Sequence, residues 1–89
     1  MNIYYINGDF IEADKAVIPV DDLAVIRGFG VFDLMRTFDG VPFCLSEHIE
    51  RLRKSAAKIG LGLPWTHEEV ASIVRETLKK NRHPESNIR

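Results

Sequence analysis

At Ser46 the apolar pattern of the chain changes period, from two residues before it to about 3.6 after it, and that switch demands strands first and helices second. Upstream, the β-type runs 2–6 (NIYYI) and 10–13 (FIEA) flank Asn7-Gly8-Asp9. Asn and Gly accept the positive φ of a tight hairpin turn, so this stretch reads as an opening hairpin. A second pair, residues 31–38 and 41–45, is joined by Asp39-Gly40. Pro42 has no N–H to give to a ladder, which places its strand at an edge or puts Pro42 at a strand start. Between the hairpins, residues 18–30 contain Pro19, Asp21-Asp22 and Gly28-Phe29-Gly30 and read as a loop with one helical turn.

Beyond the switch, Ile49, Leu52, Ala56 and Ile59 form one stripe of a helix, with Ser46 as its expected N-cap and Gly60 as its stop. A second helix follows. Thr66 and Glu69 form a capping box, Trp65 and Val70 a hydrophobic staple, and Val70, Ile73, Val74, Thr77 and Leu78 the buried stripe. Lys79, Lys80 and Arg82 suit the negative end of its dipole. The order ββββαα predicts an α+β fold, in which antiparallel β-hairpins form a sheet with two helices packed on one face. Residues 87–89 read as the start of a further strand.

Eighty-nine residues hold one domain, and burying about 60–65% of the unfolded surface leaves it modestly stable alone. With 45% hydrophobic and 28% charged residues the composition is that of a globular chain. A net charge of -1 supplies no field for nucleic acid or an anionic membrane. The longest apolar run, residues 23–26, is far short of the ~20 needed to span a bilayer, and the start lacks the basic and apolar regions of a leader, so a cytoplasmic protein is expected. Cys44 is the lone cysteine, read as a small buried hydrophobe in a strand, with no disulfide and no zinc spacing.

Few residues stand out chemically. His48, Arg51 and Ser55 share one side of the first helix, beside its apolar stripe. Arginine in that place can offer a planar fork of donors to a phosphate. Spacing alone favours the plainer reading, that Arg51, Arg53, Lys54 and Lys58 make a solvated face. In the run from Val31, alternation puts Phe32, Leu34, Arg36 and Phe38 on one face and Val31, Asp33, Met35 and Thr37 on the other. Each face carries one charge, which has to be paired, reach solvent or meet a ligand. For Arg36 the pattern favours an ion pair or a rim position over a ligand. The two glycines of Gly28-Phe29-Gly30 fit a turn as well as a ligand approach, and are no dinucleotide fingerprint. His67 and His83 lack partners at metal-ligand spacing.

Taken together, Gly28-Phe29-Gly30-Val31-Phe32-Asp33, Arg36, Asp39-Gly40 and Leu45-Ser46-Glu47-His48-Ile49-Glu50-Arg51-Leu52 with Ser55-Ala56 resemble the class IV (fold-type IV) aminotransferases. That family includes branched-chain and D-amino acid aminotransferases and aminodeoxychorismate lyase. The opening Tyr5-Ile6-Asn7-Gly8 also fits, so the likeness covers nearly the whole chain. It implies a homodimeric enzyme acting on an amino acid and a keto acid, with pyridoxal 5'-phosphate held between this small N-terminal domain and a larger C-terminal one. Arg51 matches the arginine that binds the cofactor phosphate. Phe32 and Arg36 match positions on the substrate side, and Arg27 lies in a segment that in several members reaches the partner subunit's site.

The chain also departs from the pattern. Asp33 stands where glutamate is usual, Leu34 where branched-chain enzymes commonly have glycine, and Phe32 where D-amino acid enzymes tend to have tyrosine. Leu23-Ala24-Val25-Ile26-Arg27 replaces the His-Ala-Leu-His-Tyr segment associated with branched-chain enzymes. None of Lys15, Lys54, Lys58, Lys79 or Lys80 lies in the context of the catalytic lysine, so residues 1–89 are expected to be the N-terminal part only, inactive alone, with the lysine-bearing C-terminal domain absent. The competing reading is a free-standing interaction module that pairs through a sheet edge without catalysis. Nucleic-acid binding by the first helix is disfavoured because Glu47 and Glu50 interrupt its basic surface.

Overall fold

In the computed structural model, which describes residues 1–89, Asn7 and Gly8 both take positive φ, 49° and 99°, and turn strand β1 (Ile3–Ile6) into its antiparallel partner β2 (Asp9–Glu12). Positive φ at both central residues is what a two-residue turn needs to match strand twist. The register runs from Ile6↔Asp9 to Ile3↔Glu12, so Asp9 belongs to the strand and the turn is Asn7-Gly8 alone. Tyr5 and Phe10 face each other across the ladder, edge to face at 5.2 Å. A single 3-10 turn (Ala13–Lys15), not foreseen in the sequence, follows.

The expected helical turn in residues 18–30 is α1 (Leu23–Arg27). Asp22 caps it, accepting the Ala24 N–H at 2.8 Å. Gly28 stops it at φ 63°, a left-handed backbone that glycine enters without a Cβ penalty, and the Phe29 N–H returns to the Leu23 carbonyl at 3.2 Å. Of the two readings of Gly28, the turn therefore accounts for it. These elements make up the first of two compact units, Met1–Gly30; the second is Val31–Arg89.

In the second unit the hairpin is shorter than its sequence pattern. Strand β3 (Met35–Phe38) pairs with β4 (Val41–Pro42) through Thr37↔Pro42 and Phe38↔Val41, across Asp39-Gly40 at φ 53° and 75°. Residues 31–34 keep the alternation of burial but join no ladder. Pro42 sits on an edge strand, as its missing N–H requires. The other side of β3 takes β5 (Asn87–Ile88) as Met35↔Ile88 and Arg36↔Asn87, the strand anticipated at residues 87–89. The strands thus form two small sheets, β1-β2 and β4-β3-β5, each antiparallel, where one sheet was expected. The α+β class stands.

Helix α2 (Leu45–Lys58) starts earlier than Ser46 predicts. Cys44 adopts a left-handed conformation, φ 55°, and its carbonyl takes the His48 N–H at 3.0 Å, so Cys44 is the N-cap residue and no side chain caps the end. Ser46 lies within the first turn and its hydroxyl contacts His67 Nε2 at 3.2 Å instead. Cys44 is exposed and at a turn, correcting its expected place as a buried strand residue. At the other end the Gly60 N–H bonds Ala57 and the Leu61 N–H bonds Ala56, the pair of bonds of a glycine-ended helix. Ile59 has left the stripe and is 37% exposed. Helix α3 (His67–Asn81) has the capping box intact: Thr66 Oγ1 accepts the Glu69 N–H at 3.1 Å and Glu69 Oε1 the Thr66 N–H at 3.0 Å. Met35, Ile49, Ala56 and Ala71 are the buried apolar residues, joined by Thr37, and α2 packs on α3.

Candidate functional site

Asp33 faces inward in the extended run before β3, with a side chain only 9% exposed, where an unpaired carboxylate would be costly. Its position follows from alternation. Val31, Asp33, Met35 and Thr37 are the shielded residues of residues 31–38, while Phe32, Leu34, Arg36 and Phe38 are exposed. The partners come from α2, where His48 and Arg51 lie one turn apart on the same side. Arg51 donates from Nε to Asp33 Oδ2 and from Nη2 to Oδ1, each at 2.7 Å. His48 Nδ1 meets Asp33 Oδ1 at 2.7 Å as well.

His48 Nδ1 is also 3.2 Å from Arg51 Nη2. A carboxylate oxygen only accepts, so the 2.7 Å contact assigns the Nδ1 hydrogen to Asp33, and the Nη2 contact is that of two donors sharing one oxygen. Three N–H groups thus hold the two oxygens of Asp33. The Arg51 bonds, in the face of burial, and with help from His48, hold the Asp33 carboxyl well below the usual carboxylate range. The same pairing raises Arg51 further above its already high value.

Arg51 is not used up by this pair. A guanidinium carries five N–H donors, and Asp33 takes one from Nε and one from Nη2. Its side chain is 64% exposed, so the edge formed by Nη1 and the second Nη2 hydrogen is open to an incoming anion. A phosphate, with several acceptor oxygens, matches that edge two bonds at a time.

The solvated-face reading of the four basic residues does not hold as a block. Arg51 is tied to Asp33, and Arg53 Nη1 donates to the Trp65 carbonyl at 3.1 Å, while Lys54 and Lys58 are exposed. Phe32 (73% exposed) and Arg36 lie on the opposite face of the strand run from Asp33, so the structure does not bring them to Arg51 within this unit. The Arg36 guanidinium lies 6.0 Å from the ring centre of Phe38, which packs edge to face on Phe43 at 5.2 Å. Arg27 is exposed in the last turn of α1, in the first unit.

The convergence of His48 and Arg51 on Asp33 is not legible in the sequence. Both halves of the signal were present: a single carboxylate on the inward face, and a histidine and an arginine beside the apolar stripe of the next helix. Nothing in either pattern paired them. A second histidine contact ties the starts of α2 and α3, with His67 near Glu50 at 3.9 Å and Glu68 at 3.7 Å in addition to Ser46. No group of three or more His, Cys, Asp or Glu side chains is arranged to hold a metal ion. No helix is long and apolar enough to cross a membrane.

Comparison with known proteins bears on what this arrangement serves. Residues 30–89 match the family model described as amino-transferase class IV. A Methanocaldococcus jannaschii protein, assigned provisionally as a branched-chain-amino-acid aminotransferase, is 41% identical over 96% of this chain and 30% of its own length. The D-alanine aminotransferase of Staphylococcus haemolyticus is 40% identical over 91% of this chain and 29% of its own. Among solved structures, the branched-chain aminotransferase of the thermophilic archaeon Thermoproteus uzoniensis with norvaline superposes with a TM-score of 0.86 at 31% identity, over 97% of this chain and 30% of that one. The chain therefore spans about 30% of the length of the relatives it matches.

Proposed function

The chain belongs to the class IV aminotransferases, and from that premise we propose that it is the N-terminal part of a pyridoxal 5'-phosphate enzyme that moves the amino group of an amino acid to a keto acid, or of the related lyase. The observation that carries the proposal is Arg51, fixed along one edge by Asp33 and open along the other. That donor set fits a phosphate monoester: planar, permanently charged and two-pronged. Arg51 binds the cofactor phosphate and so places the rest of the cofactor against groups supplied elsewhere. Bound, pyridoxal phosphate supplies the electron sink for bond breaking at the substrate's α-carbon. The catalytic lysine is assigned to a C-terminal domain beyond these residues, in keeping with the share of the relatives' length that the chain spans.

Phe32 and Arg36 are assigned to the substrate side, supported by their exposure on one face beside Leu34 and Phe38. Arg27 is assigned to the partner subunit's site in a homodimer, and the enzyme to the cytoplasm. The relatives are named for branched-chain amino acids and for D-alanine, and those two classes are the candidate substrates. Leu34, in place of a smaller residue, narrows the space on that face. A substrate screen on the full-length protein, scoring both keto-acid and pyruvate formation, separates them.

The phosphate assignment is tested by titrating the full-length apo-protein with pyridoxal phosphate. Arg51→Ala should weaken binding about ten- to a hundredfold, the effect of losing hydrogen bonds to a charged group, and Arg51→Lys should recover part of it. Lys54→Ala, exposed on the same helix, should bind as wild type does. Unchanged affinity in Arg51→Ala would return Arg51 to a purely structural role.

A further inference from the structure

We infer that Asp33 is a positioning residue for the phosphate-binding arginine, and that His48 holds Asp33 in turn; this rests on the reading of Arg51 just given. An arginine with 64% of its side chain exposed has four side-chain torsions to fix before both prongs can meet an anion. Two bonds of 2.7 Å from Nε and Nη2 to one carboxylate fix the guanidinium plane, leaving the outer edge aimed in a single direction. The carboxylate is itself fixed, because His48 Nδ1 binds Oδ1 at 2.7 Å from the preceding turn of the same helix.

The charge of Asp33 makes the inference sharp. Beside Arg51 it cancels part of the attraction that a phosphate would feel, so electrostatics alone says that removing this charge tightens phosphate binding. Positioning says the reverse: a guanidinium released from Asp33 loses its orientation, and binding weakens. A third account, that Asp33 only ties residues 31–38 to α2, predicts lower stability with no selective effect on the phosphate. The three accounts differ in sign or in selectivity.

The experiment titrates the full-length apo-protein with pyridoxal phosphate and with pyridoxal, which lacks the phosphate, by calorimetry. Asp33→Asn keeps the shape, loses the charge and one of the two acceptor oxygens, and should weaken pyridoxal phosphate binding about tenfold while leaving pyridoxal unchanged. Asp33→Glu, which restores a two-oxygen carboxylate, should recover most of the loss. His48→Ala should lower the same ratio of affinities by a smaller factor, about threefold. In an Arg51→Ala background Asp33→Asn should change nothing further, because the residue it orients is gone. Equal or tighter binding of pyridoxal phosphate by Asp33→Asn would overturn the inference, as would an equal loss for both probes. Should Asp33→Asn fail to fold, the affinity ratio in His48→Ala decides alone, and an unchanged ratio there is a refutation. If Arg51→Ala weakens binding and the Asp33 and His48 variants do not, positioning fails while the phosphate site stands; if Arg51→Ala has no effect, the phosphate site itself fails.

Discussion

Glu85 caps the β3–β4 turn from outside the hairpin: its Oε1 accepts the Gly40 N–H at 2.7 Å from a carboxylate forty-five residues along the chain. The other oxygen, Oε2, accepts the Thr37 hydroxyl at 3.2 Å. One side chain thus satisfies a turn amide and a strand hydroxyl, and it fixes where the chain arrives before β5. Glu85→Ala should lower the stability of the chain by about 1 kcal/mol, the net worth of such bonds near solvent, and Glu85→Gln by less, since an acceptor oxygen remains. Urea denaturation measures both. A wild-type midpoint in Glu85→Ala would mean the turn holds without this cap.

Thr37 should be more sensitive, because it is 2% exposed and its hydroxyl also accepts the Ser86 N–H at 2.8 Å. Thr37→Val keeps the volume and strands that amide, at a cost of about 1–3 kcal/mol. The Ser86 amide should exchange with solvent faster than in wild type, while Thr37→Ser, which retains the acceptor, should protect it. Equal protection in Thr37→Val would show that the side-chain bond is not what holds residue 86.

Local signals in the sequence located the elements well where one residue type has one physical role. Asn7-Gly8 and Asp39-Gly40 mark turns because their backbones tolerate positive φ, and Thr66 with Glu69 marks a helix start because two side chains satisfy two amides. Signals failed where a stronger tertiary partner existed. Ser46 has the side chain of a cap, but the left-handed bend at Cys44 starts the helix sooner and frees the Ser46 hydroxyl for His67. The second hairpin is shorter than its pattern because residues 31–34 alternate like a strand, yet Asp33 is engaged by α2 side chains rather than by a ladder. Contacts between residues fifteen and eighteen positions apart, which make the candidate site, leave no periodic trace in either segment.

The capping box offers a test of local against tertiary control of α3. Thr66→Ala should cost about 1 kcal/mol and Glu69→Ala somewhat less, since each removes one of the two reciprocal bonds. Helical circular dichroism before the unfolding transition should fall only slightly, because the packing against α2 remains. A loss of much of the α3 signal in Thr66→Ala would mean that the cap, and not packing, decides whether the helix forms.

Acid should expose the contribution of Asp33. Its carboxyl is held below its ordinary value of 3.8 chiefly by the hydrogen bonds from Arg51, with burial opposing and His48 assisting. A carboxyl with a depressed value in the folded state binds fewer protons there than when unfolded, so falling pH favours unfolding. The stabilisation is therefore complete above the ordinary value and is lost as pH falls below it towards the depressed one. Asp33→Asn lacks this dependence, and the other carboxylates are common to both chains. The gap in urea midpoint between wild type and Asp33→Asn should narrow steadily as pH falls from about 5 to about 3. A gap as wide at about pH 3 as at about pH 5 would show that the folded state does not favour the ionised carboxylate, and with it the account of three donors converging on Asp33 would fail.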